Sequence, residues 1–170
     1  PIKKKYFISG LITKTRAAGC LFLLAFPIVA HGATLSWVLD GNGAWDTVSD
    51  HWDPDGAGSI PAGIWSQKDV AVFGGANGWQ VNISTSIEAS RVIFETNGYV
   101  VSGGGLTMVE SSPGGFVDFV AQAGITGTIN SEIFSDGDIW VNYFGETGTV
   151  VYASDSSYVG KTSVRGGALE

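Results

Sequence analysis

The sequence after residue 33 predicts an all-β protein, and three observations support that fold class. No stretch of it keeps the 3.6-residue apolar period of an amphipathic helix. Glycine, which is unfavourable inside helices, occupies 25 of the 170 positions in the whole chain. Short runs rich in β-branched and aromatic residues recur between clusters of Gly, Asn, Asp and Ser, a pattern typical of strands joined by tight turns.

Several runs alternate apolar and polar residues, as in WQVNI at residues 79–83, so that one face of each strand would enter a core. The predicted strands span residues 34–39, 70–73, 79–83, 91–94, 99–101, 106–109, 116–120, 127–134, 138–144, 149–153 and 162–165. Two architectures fit this spacing. One is an antiparallel β-sandwich, and the other is a β-solenoid whose coils repeat at roughly 20 residues or somewhat more. Composition alone leaves both open.

Residues 1–33 predict a cleavable signal peptide. Five basic residues and no acidic ones precede Cys20, and an uninterrupted apolar run then extends from Cys20 to Ala30. Such a run matches the core of a signal peptide and is well short of the roughly 20 residues that cross a membrane. Small residues then favour cleavage after Gly32 or Ala33. The alternative, a buried core helix, does not explain this order of basic arm, apolar run and small residues.

The single cysteine, Cys20, belongs to this predicted signal peptide. The string AAGC at residues 17–20 looks like a lipoprotein acylation site, but such a site follows the apolar run and Cys20 begins it. We therefore expect Cys20 to be removed with the peptide. The remaining chain would contain no disulfide and no cysteine-ligated metal.

The chain after residue 33 is strongly acidic. All 16 acidic residues lie there with only four basic ones, which gives a net charge of about −12 against −7 for the whole chain. A surface this negative repels nucleic acid and anionic membranes and suits a secreted or surface-exposed protein. The four basic residues are Lys68, Arg91, Lys161 and Arg165.

The C-terminal stretch, residues 148–170, contains a Gly-Thr strand, a short polar turn, a Tyr-x-Gly-x-Thr-x-Val string and a Gly before a small-Leu pair. This order resembles the autotransporter-associated β-strand repeat. Ser157 and Lys161 depart from that pattern without breaking its strand-turn-strand rhythm. The matching residues are Gly148, Thr149, Val151, Tyr158, Gly160, Thr162, Val164, Gly167, Ala168 and Leu169.

Residues 37–75 look like the opening of such passenger segments, and residues 92–108 fit a first coil. The matching residues are Gly41, Gly43, Trp45, Asp46, Trp52, Trp65, Asp69, Ala71 and Phe73. The resemblance implies a right-handed parallel β-helix, displayed at or released from the surface of a Gram-negative-type cell and serving chiefly as a scaffold. In such a helix we expect a cap over the N-terminal end of the core, made of Trp37, Trp45, Trp52 and Trp65.

Catalytic residues are not evident. His51 is the only histidine after the signal, and no Gly-x-Ser-x-Gly elbow accompanies it, so we interpret it as a packing or surface residue. β-Helix enzymes that cleave polysaccharides use carboxylate pairs. The two candidate pairs, Asp53/Asp55 and Asp136/Asp138, lie in Gly-containing turns, where Asp is common for conformational reasons.

Two ligand classes remain as hypotheses. Asp50, Asp53 and Asp55 cluster on one turn and could bind Ca²⁺, although the turn lacks the closing Glu of a calcium loop. The six tryptophans and several tyrosines could stack against sugar rings, but capping of a β-helix explains the N-terminal tryptophans more simply. Other than this Ca²⁺ hypothesis, we expect no cofactor.

The sequence therefore predicts a signal peptide at 1–33, a Trp-rich cap at 34–75 and β-helix coils at 76–170. Because the chain begins at Pro1 rather than Met and stops in mid-pattern, we interpret it as a piece of a longer protein. The predicted function is a non-enzymatic, exported scaffold or adhesin that meets surface glycans or other cells. The alternatives are a polysaccharide-active β-helix enzyme and an aromatic-lined carbohydrate-binding module.

Overall fold

A computed structural model describes residues 32–54, 62–113 and 115–170. The predicted signal peptide, apart from its last two residues, lies outside these ranges. The regular elements described are all β-strands, and none of the described residues belongs to a helix long and apolar enough to cross a membrane. The strands are β1 (Thr34–Trp37), β2 (Gly43–Trp45), β3 (Trp52–Asp53), β4 (Val70–Phe73), β5 (Gln80–Ile83), β6 (Ile87–Ala89), β7 (Arg91–Phe94), β8 (Val100–Gly103), β9 (Leu106–Met108), β10 (Val117–Ala121), β11 (Thr126–Asn130), β12 (Ile133–Ser135), β13 (Ile139–Val141), β14 (Thr149–Tyr152), β15 (Ser157–Tyr158), β16 (Thr162–Val164) and β17 (Ala168–Leu169).

The strands form three sheets that run the length of a parallel β-solenoid of about four turns. Every third strand from β4 onward joins the same sheet, so each turn of the chain adds one strand to each sheet. The first sheet has the order β16-β13-β10-β7-β4-β1-β3, the second β17-β14-β11-β8-β5-β2, and the third β15-β12-β9-β6. The pairs among these described strands are parallel except for β1 with β3. The all-β prediction is confirmed, and the alternative of an antiparallel sandwich is wrong.

The length of one turn follows from residues that pair across neighbouring strands of the first sheet. Val70 pairs with Arg91, Arg91 with Asp118, and Asp118 with Trp140. More residues therefore separate Arg91 from Asp118 than separate the partners in the pair before it or in the pair after it. This longer separation comes from the connection at residues 109–116, since the equivalent connection one turn earlier is Ser90 alone. Additional residues are thus accommodated at a corner and leave the pairing of the strands intact.

The core is a set of side-chain columns inside the three sheets. Ala71, Val92, Phe119 and Val141 follow one another through the paired register of the first sheet and are all fully buried. The ring of Phe94 stacks on that of Phe73 from the turn before, with ring centroids 5.6 Å apart. Because each turn buries its apolar face only against its neighbours, stability comes from stacking turn on turn.

Small residues let these large rings fit. Gly127 in β11 is buried directly opposite Phe94, and a Cβ at that position would overlap the phenyl ring.

At the corner after β13, Asn142 adopts the left-handed conformation with φ of 55° and is fully buried. Its carboxamide bonds to three successive turns: Oδ1 accepts from the N–H of Ala121 at 2.8 Å, and Nδ2 donates to the carbonyls of Gly148 and Gly166 at 3.1 and 3.0 Å.

Candidate functional site

The four tryptophans singled out in the sequence form one buried cluster at the N-terminal end of the stack. Each of Trp37, Trp45, Trp52 and Trp65 is at most 5% exposed. Trp65 lies 4.8 Å from Trp52 and 4.9 Å from Trp45 between ring centroids, and the cluster packs onto Phe73 of the first full turn. The indole N–H groups of Trp37, Trp45 and Trp52 are buried without a hydrogen-bond acceptor among the described residues, so their contribution is apolar packing.

The backbone beside this cluster reverses direction. β3 pairs antiparallel with β1, with Trp52 opposite Trp37, and therefore occupies the end of the first sheet. Outside the strands, the N–H of Val38 donates to the carbonyl of His51 at 3.0 Å. The imidazole of His51 lies 5.1 Å from the ring of Trp37 and places Nδ1 3.0 Å from the carbonyl oxygen of Ala44. His51 thus packs against the cluster.

The turn after β2, which belongs to the Trp-rich opening segment, is held by Asp46. Its Oδ1 accepts from the N–H groups of Val48 and Ser49 at 3.0 and 2.7 Å, and its Oδ2 accepts from the hydroxyls of Ser49 and Ser84. Burial opposes ionisation of this carboxyl, yet the hydrogen bonds outweigh it and the pKa of Asp46 is lowered. Asp46 therefore fixes this turn and ties it to the next coil.

The three calcium candidates occupy different settings. Asp50 is exposed, Asp53 is 1% exposed within β3, and Asp55 lies outside the described residues. Within the part of the chain that is described, no group of three or more His, Cys, Asp or Glu side chains is arranged to hold a metal ion. A site completed by Asp55 stays a prediction.

The second carboxylate pair lies at the corner between the third and first sheets. Asp138 accepts a hydrogen bond from the N–H of Lys161 on the following turn at 2.8 Å, so one of its oxygens serves the stacking of coils. Asp136 is exposed on the other side of Gly137, and both line a shallow groove with Glu110. Both carboxylates of the pair are therefore exposed, and one of them also holds the next turn.

The repeat-motif residues cover the last strands. Tyr158 lies in β15, Thr162 and Val164 lie in β16, and Leu169 lies in β17. The hydroxyls of Tyr158 and Thr162 are hydrogen-bonded to each other, and both Tyr158 and Leu169 pack against the core. Val164 is 47% exposed. Gly160 and Gly167 turn the chain between these strands with φ of 130° and 61°.

The outer side of the first sheet carries a cluster that the sequence did not reveal, called here the outer-face patch. Phe116, at the end of the long connection, stacks on Tyr143 with centroids 4.5 Å apart, and Phe144 lies 5.0 Å from Tyr143. Trp140 is 5.1 Å from Tyr143. The members of the outer-face patch are Arg91, Phe116, Trp140, Tyr143, Phe144 and Arg165.

Two arginines lie over these rings in different electrostatic settings. The guanidinium of Arg91 is 5.5 Å from the Phe144 centroid and pairs with the fully buried carboxylate of Asp118 at 3.4 Å. Burial raises the pKa of Asp118 to about 6, with Arg91 opposing the rise and the charge of Glu146 adding to it. The guanidinium of Arg165 is 4.6 Å from the Trp140 centroid, and no carboxylate of the described residues forms an ion pair with it.

Comparison with known proteins agrees with the solenoid. Over 132 residues, 76% of this chain, the sequence is 33% identical to the Adhesin BmaC autotransporter of Brucella suis biovar 1 (strain 1330). This chain is a distant homologue of an autotransporter adhesin. The alignment spans about 4% of that relative's length, so the segment corresponds to a small part of the adhesin. No protein-family model matches the chain, and no solved structure matches it.

Proposed function

We propose that this chain is an N-terminal passenger segment of an autotransporter-type protein, exported to the cell surface or released from it, where it acts as an adhesive scaffold. The observation that carries the proposal is the homology to an autotransporter adhesin, which coincides with a parallel solenoid. Such a stack gains length with each added turn while every turn keeps the same neighbours. This architecture suits a stalk that holds binding surfaces away from a cell.

Two finer features belong to this proposal. We infer a right-handed winding, since chain that leaves a strand and returns to a parallel neighbour in the same sheet almost always turns that way. We also infer that the tryptophan cluster and β3 cap the N-terminal end of the solenoid. The cluster covers Phe73 at that end, and an antiparallel strand of two residues offers a poor edge for pairing with another chain.

Export rests on the sequence of residues 1–33, with its basic arm, apolar run and small residues. The acidic, cysteine-free remainder is compatible with a location outside the cytoplasm. To test this step, the full chain is fused to alkaline phosphatase, which is active only outside the cytoplasm. We expect phosphatase activity from intact cells and its loss when residues 1–33 are deleted. Equal activity without these residues would refute the predicted signal.

Adhesion is tested on the complete passenger that carries this segment. Cells displaying it are expected to bind a glycan-bearing epithelial surface more strongly than cells that lack it. Antibody labelling of the same intact cells measures surface display independently. Display without any gain in binding would leave a scaffold and remove the adhesive role, whereas absence of display would contradict the whole proposal.

One alternative has its own observation. The groove lined by Glu110, Asp136 and Asp138 brings carboxylates together on the surface, as a polysaccharide-cleaving β-helix requires. Against it, one oxygen of Asp138 is bonded to the next turn. Hydrolase and lyase assays on acidic polysaccharides with wild-type and Asp136→Ala chains separate the two. Cleavage by the wild-type chain that disappears in the Asp136→Ala variant would show that the chain is an enzyme and would contradict the non-enzymatic scaffold.

A further inference from the structure

The outer-face patch is an unusual surface on this molecule. Its aromatic rings stand outside the solenoid core, on the side of the first sheet that faces away from the stacked columns. Phe144 is 66% exposed, and Phe116, Trp140 and Tyr143 are half-buried. Clustered exposed rings mark an interaction site more often than isolated ones do, because water solvates their shared faces poorly.

The rings form a connected row with spacings close to the size of a sugar ring. From Trp140 to Tyr143 the centroids are 5.1 Å apart, and from Tyr143 to Phe144 they are 5.0 Å apart. The contacts within the row are edge-to-face, at 75° and 87°, so the rings support one another. Arg165 lies over one face of Trp140 and Phe116 stacks on one face of Tyr143, and the remaining surface of both rings is partly exposed. The C–H face of a pyranose buries apolar area against such rings through dispersion and loss of water.

The charged side chains that lie over the rings of the patch are both positive, in a segment that is mostly acidic, while the negative charge of Glu146 acts on Asp118 beneath the patch. Both arginines found after residue 33 belong to it, in a segment with 16 acidic residues. Arg91 is already paired with Asp118. Arg165 is exposed and lies over the ring of Trp140, which leaves N–H groups of its guanidinium free to meet a ligand. A guanidinium has the fork geometry that binds a carboxylate through two hydrogen bonds.

We propose that the outer-face patch binds a carboxylate-bearing glycan, with sugar faces packed on Trp140, Tyr143 and Phe144 and the sugar carboxylate bonded to Arg165. The inference deepens the proposed adhesive function and relies on it only for the biological setting, because the binding itself is measured on purified chain. A polyphosphate such as nucleic acid is disfavoured by the surrounding negative charge. A sugar with isolated carboxylates presents the anion locally to one arginine.

Two sources of a sugar carboxylate are distinguished by the probes. The purified full chain is titrated with galacturonate, which carries a single carboxylate, and with neutral galactose, and separately with sialyllactose and lactose. Binding is followed by calorimetry and by the intrinsic tryptophan fluorescence, to which Trp140 of the patch contributes with the five other tryptophans of the chain. We expect at least one acidic probe to bind about tenfold or more tightly than its neutral partner, with an affinity that falls as salt is added.

Two substitutions and their controls locate the site. Arg165→Gln is expected to reduce acidic-probe binding to the level of the neutral probe, and Phe144→Ser is expected to weaken both. Lys161→Gln removes the same charge from the same turn, and Val159→Ser removes an apolar side chain that is 77% exposed, and both should bind like wild type. Thermal melting verifies that every variant is folded.

The outcomes decide the proposal. No binding of either acidic probe, or equal loss in the Lys161→Gln control, would overturn it. Equal binding of acidic and neutral probes would overturn the assignment of Arg165 to a carboxylate. If these titrations show no binding while the chain is displayed on intact cells, only the glycan site is refuted. If intact cells do not display the chain, the proposed function is refuted.

Discussion

Arg91 of β7 forms an ion pair with Asp118 of β10, its direct neighbour in the first sheet, at 3.4 Å, and Asp118 is fully buried beneath the outer-face patch. The second carboxylate oxygen of Asp118 and the Nε of Arg91 have no hydrogen-bond partner in the described part of the chain. A charge paired this incompletely is poorly compensated for its burial. The pair therefore makes stability depend on pH.

We predict that Asp118→Asn flattens this dependence. Because burial raises the pKa of Asp118 from 3.8 to about 6, the folded chain binds the proton more tightly than the unfolded chain. The contribution of the protonated Asp118 carboxyl to the free energy of unfolding is fully present below the unfolded pKa of 3.8 and is lost as the pH rises through about 6. The loss in unfolding free energy is no more than about 3 kcal/mol.

Urea unfolding at a series of pH values measures the effect as the difference between wild type and Asp118→Asn. The exposed residue Asp155, changed to Asn, removes a carboxylate elsewhere and serves as the control. If Asp118→Asn loses as much stability as wild type over this pH range, the buried carboxyl does not carry the dependence.

We predict that Asn142→Ala is among the most destabilising corner substitutions. It removes the hydrogen bonds to the N–H of Ala121 and to the carbonyls of Gly148 and Gly166, of which the Gly148 carbonyl keeps the N–H of Ala168 as a donor. It also places Ala at a φ of 55° that L-residues disfavour. The expected loss in unfolding free energy is about 3 kcal/mol or more.

Asn142→Gly relieves the backbone conformation but not the lost hydrogen bonds, and it should lie between Asn142→Ala and wild type. Equilibrium denaturation of the three proteins gives the order. An Ala variant as stable as the Gly variant would mean that the left-handed backbone at this corner is not a constraint.

We predict that Gly127→Ala destabilises the solenoid, since the new methyl group would overlap the ring of Phe94. Displacing a packed ring costs about 1–3 kcal/mol. Gly137→Ala is the matched control, because a Cβ there has no described atom within 4 Å. Thermal melting should show a lowered Tm for Gly127→Ala only, and equal melting of the two variants would contradict the packing of Phe94 against β11.

We predict that Trp52→Ala opens the tryptophan cluster. Trp52 is fully buried and contacts Trp37, Trp45, Trp65 and Phe73, so truncation leaves a large cavity that costs about 3–5 kcal/mol. Val48→Ala, at a site 78% exposed, is the control and should change stability by less than about 0.5 kcal/mol.

Hydrogen exchange then distinguishes a cap from ordinary core. If the cluster closes the end of the stack, Trp52→Ala should raise amide exchange in β1 and β4 more than in β13. Uniform acceleration along the whole chain would instead indicate that the cluster contributes to global stability without an end-capping role.

The sequence located most long strands but not the shortest ones. β2, β3, β6, β15 and β17 have only two or three residues each, too few to display a period of two. The predicted strand at 127–134 is in fact β11 and β12, separated by a corner at residues 131–132. Parallel and antiparallel strands share the same alternation, so composition could not choose between solenoid and sandwich, and the family resemblance did.

The outer-face patch was hidden from the sequence for a related reason. Arg91 and Asp118 are distant in the chain, and they become neighbours only once the extra length of 109–116 is assigned to a corner. If every turn had as many residues as the turn from Val70 to Arg91, a residue other than Asp118 would lie beside Arg91. The burial of the tryptophans, by contrast, could be predicted without knowing how the strands pair, because large apolar residues are usually buried.

The corner at residues 109–116 has a consequence for how such a shaft can change over generations. Lengthening the chain there alters what is displayed on one flank and leaves the inter-strand ladders undisturbed, as the intact pairing of β7 with β10 demonstrates. Insertions at corners are therefore a ready source of variety, whereas an insertion of one residue inside a strand would invert every side chain that follows it there. Related segments can therefore come to differ in the residues that they expose at each corner while they retain the same stacked sheets.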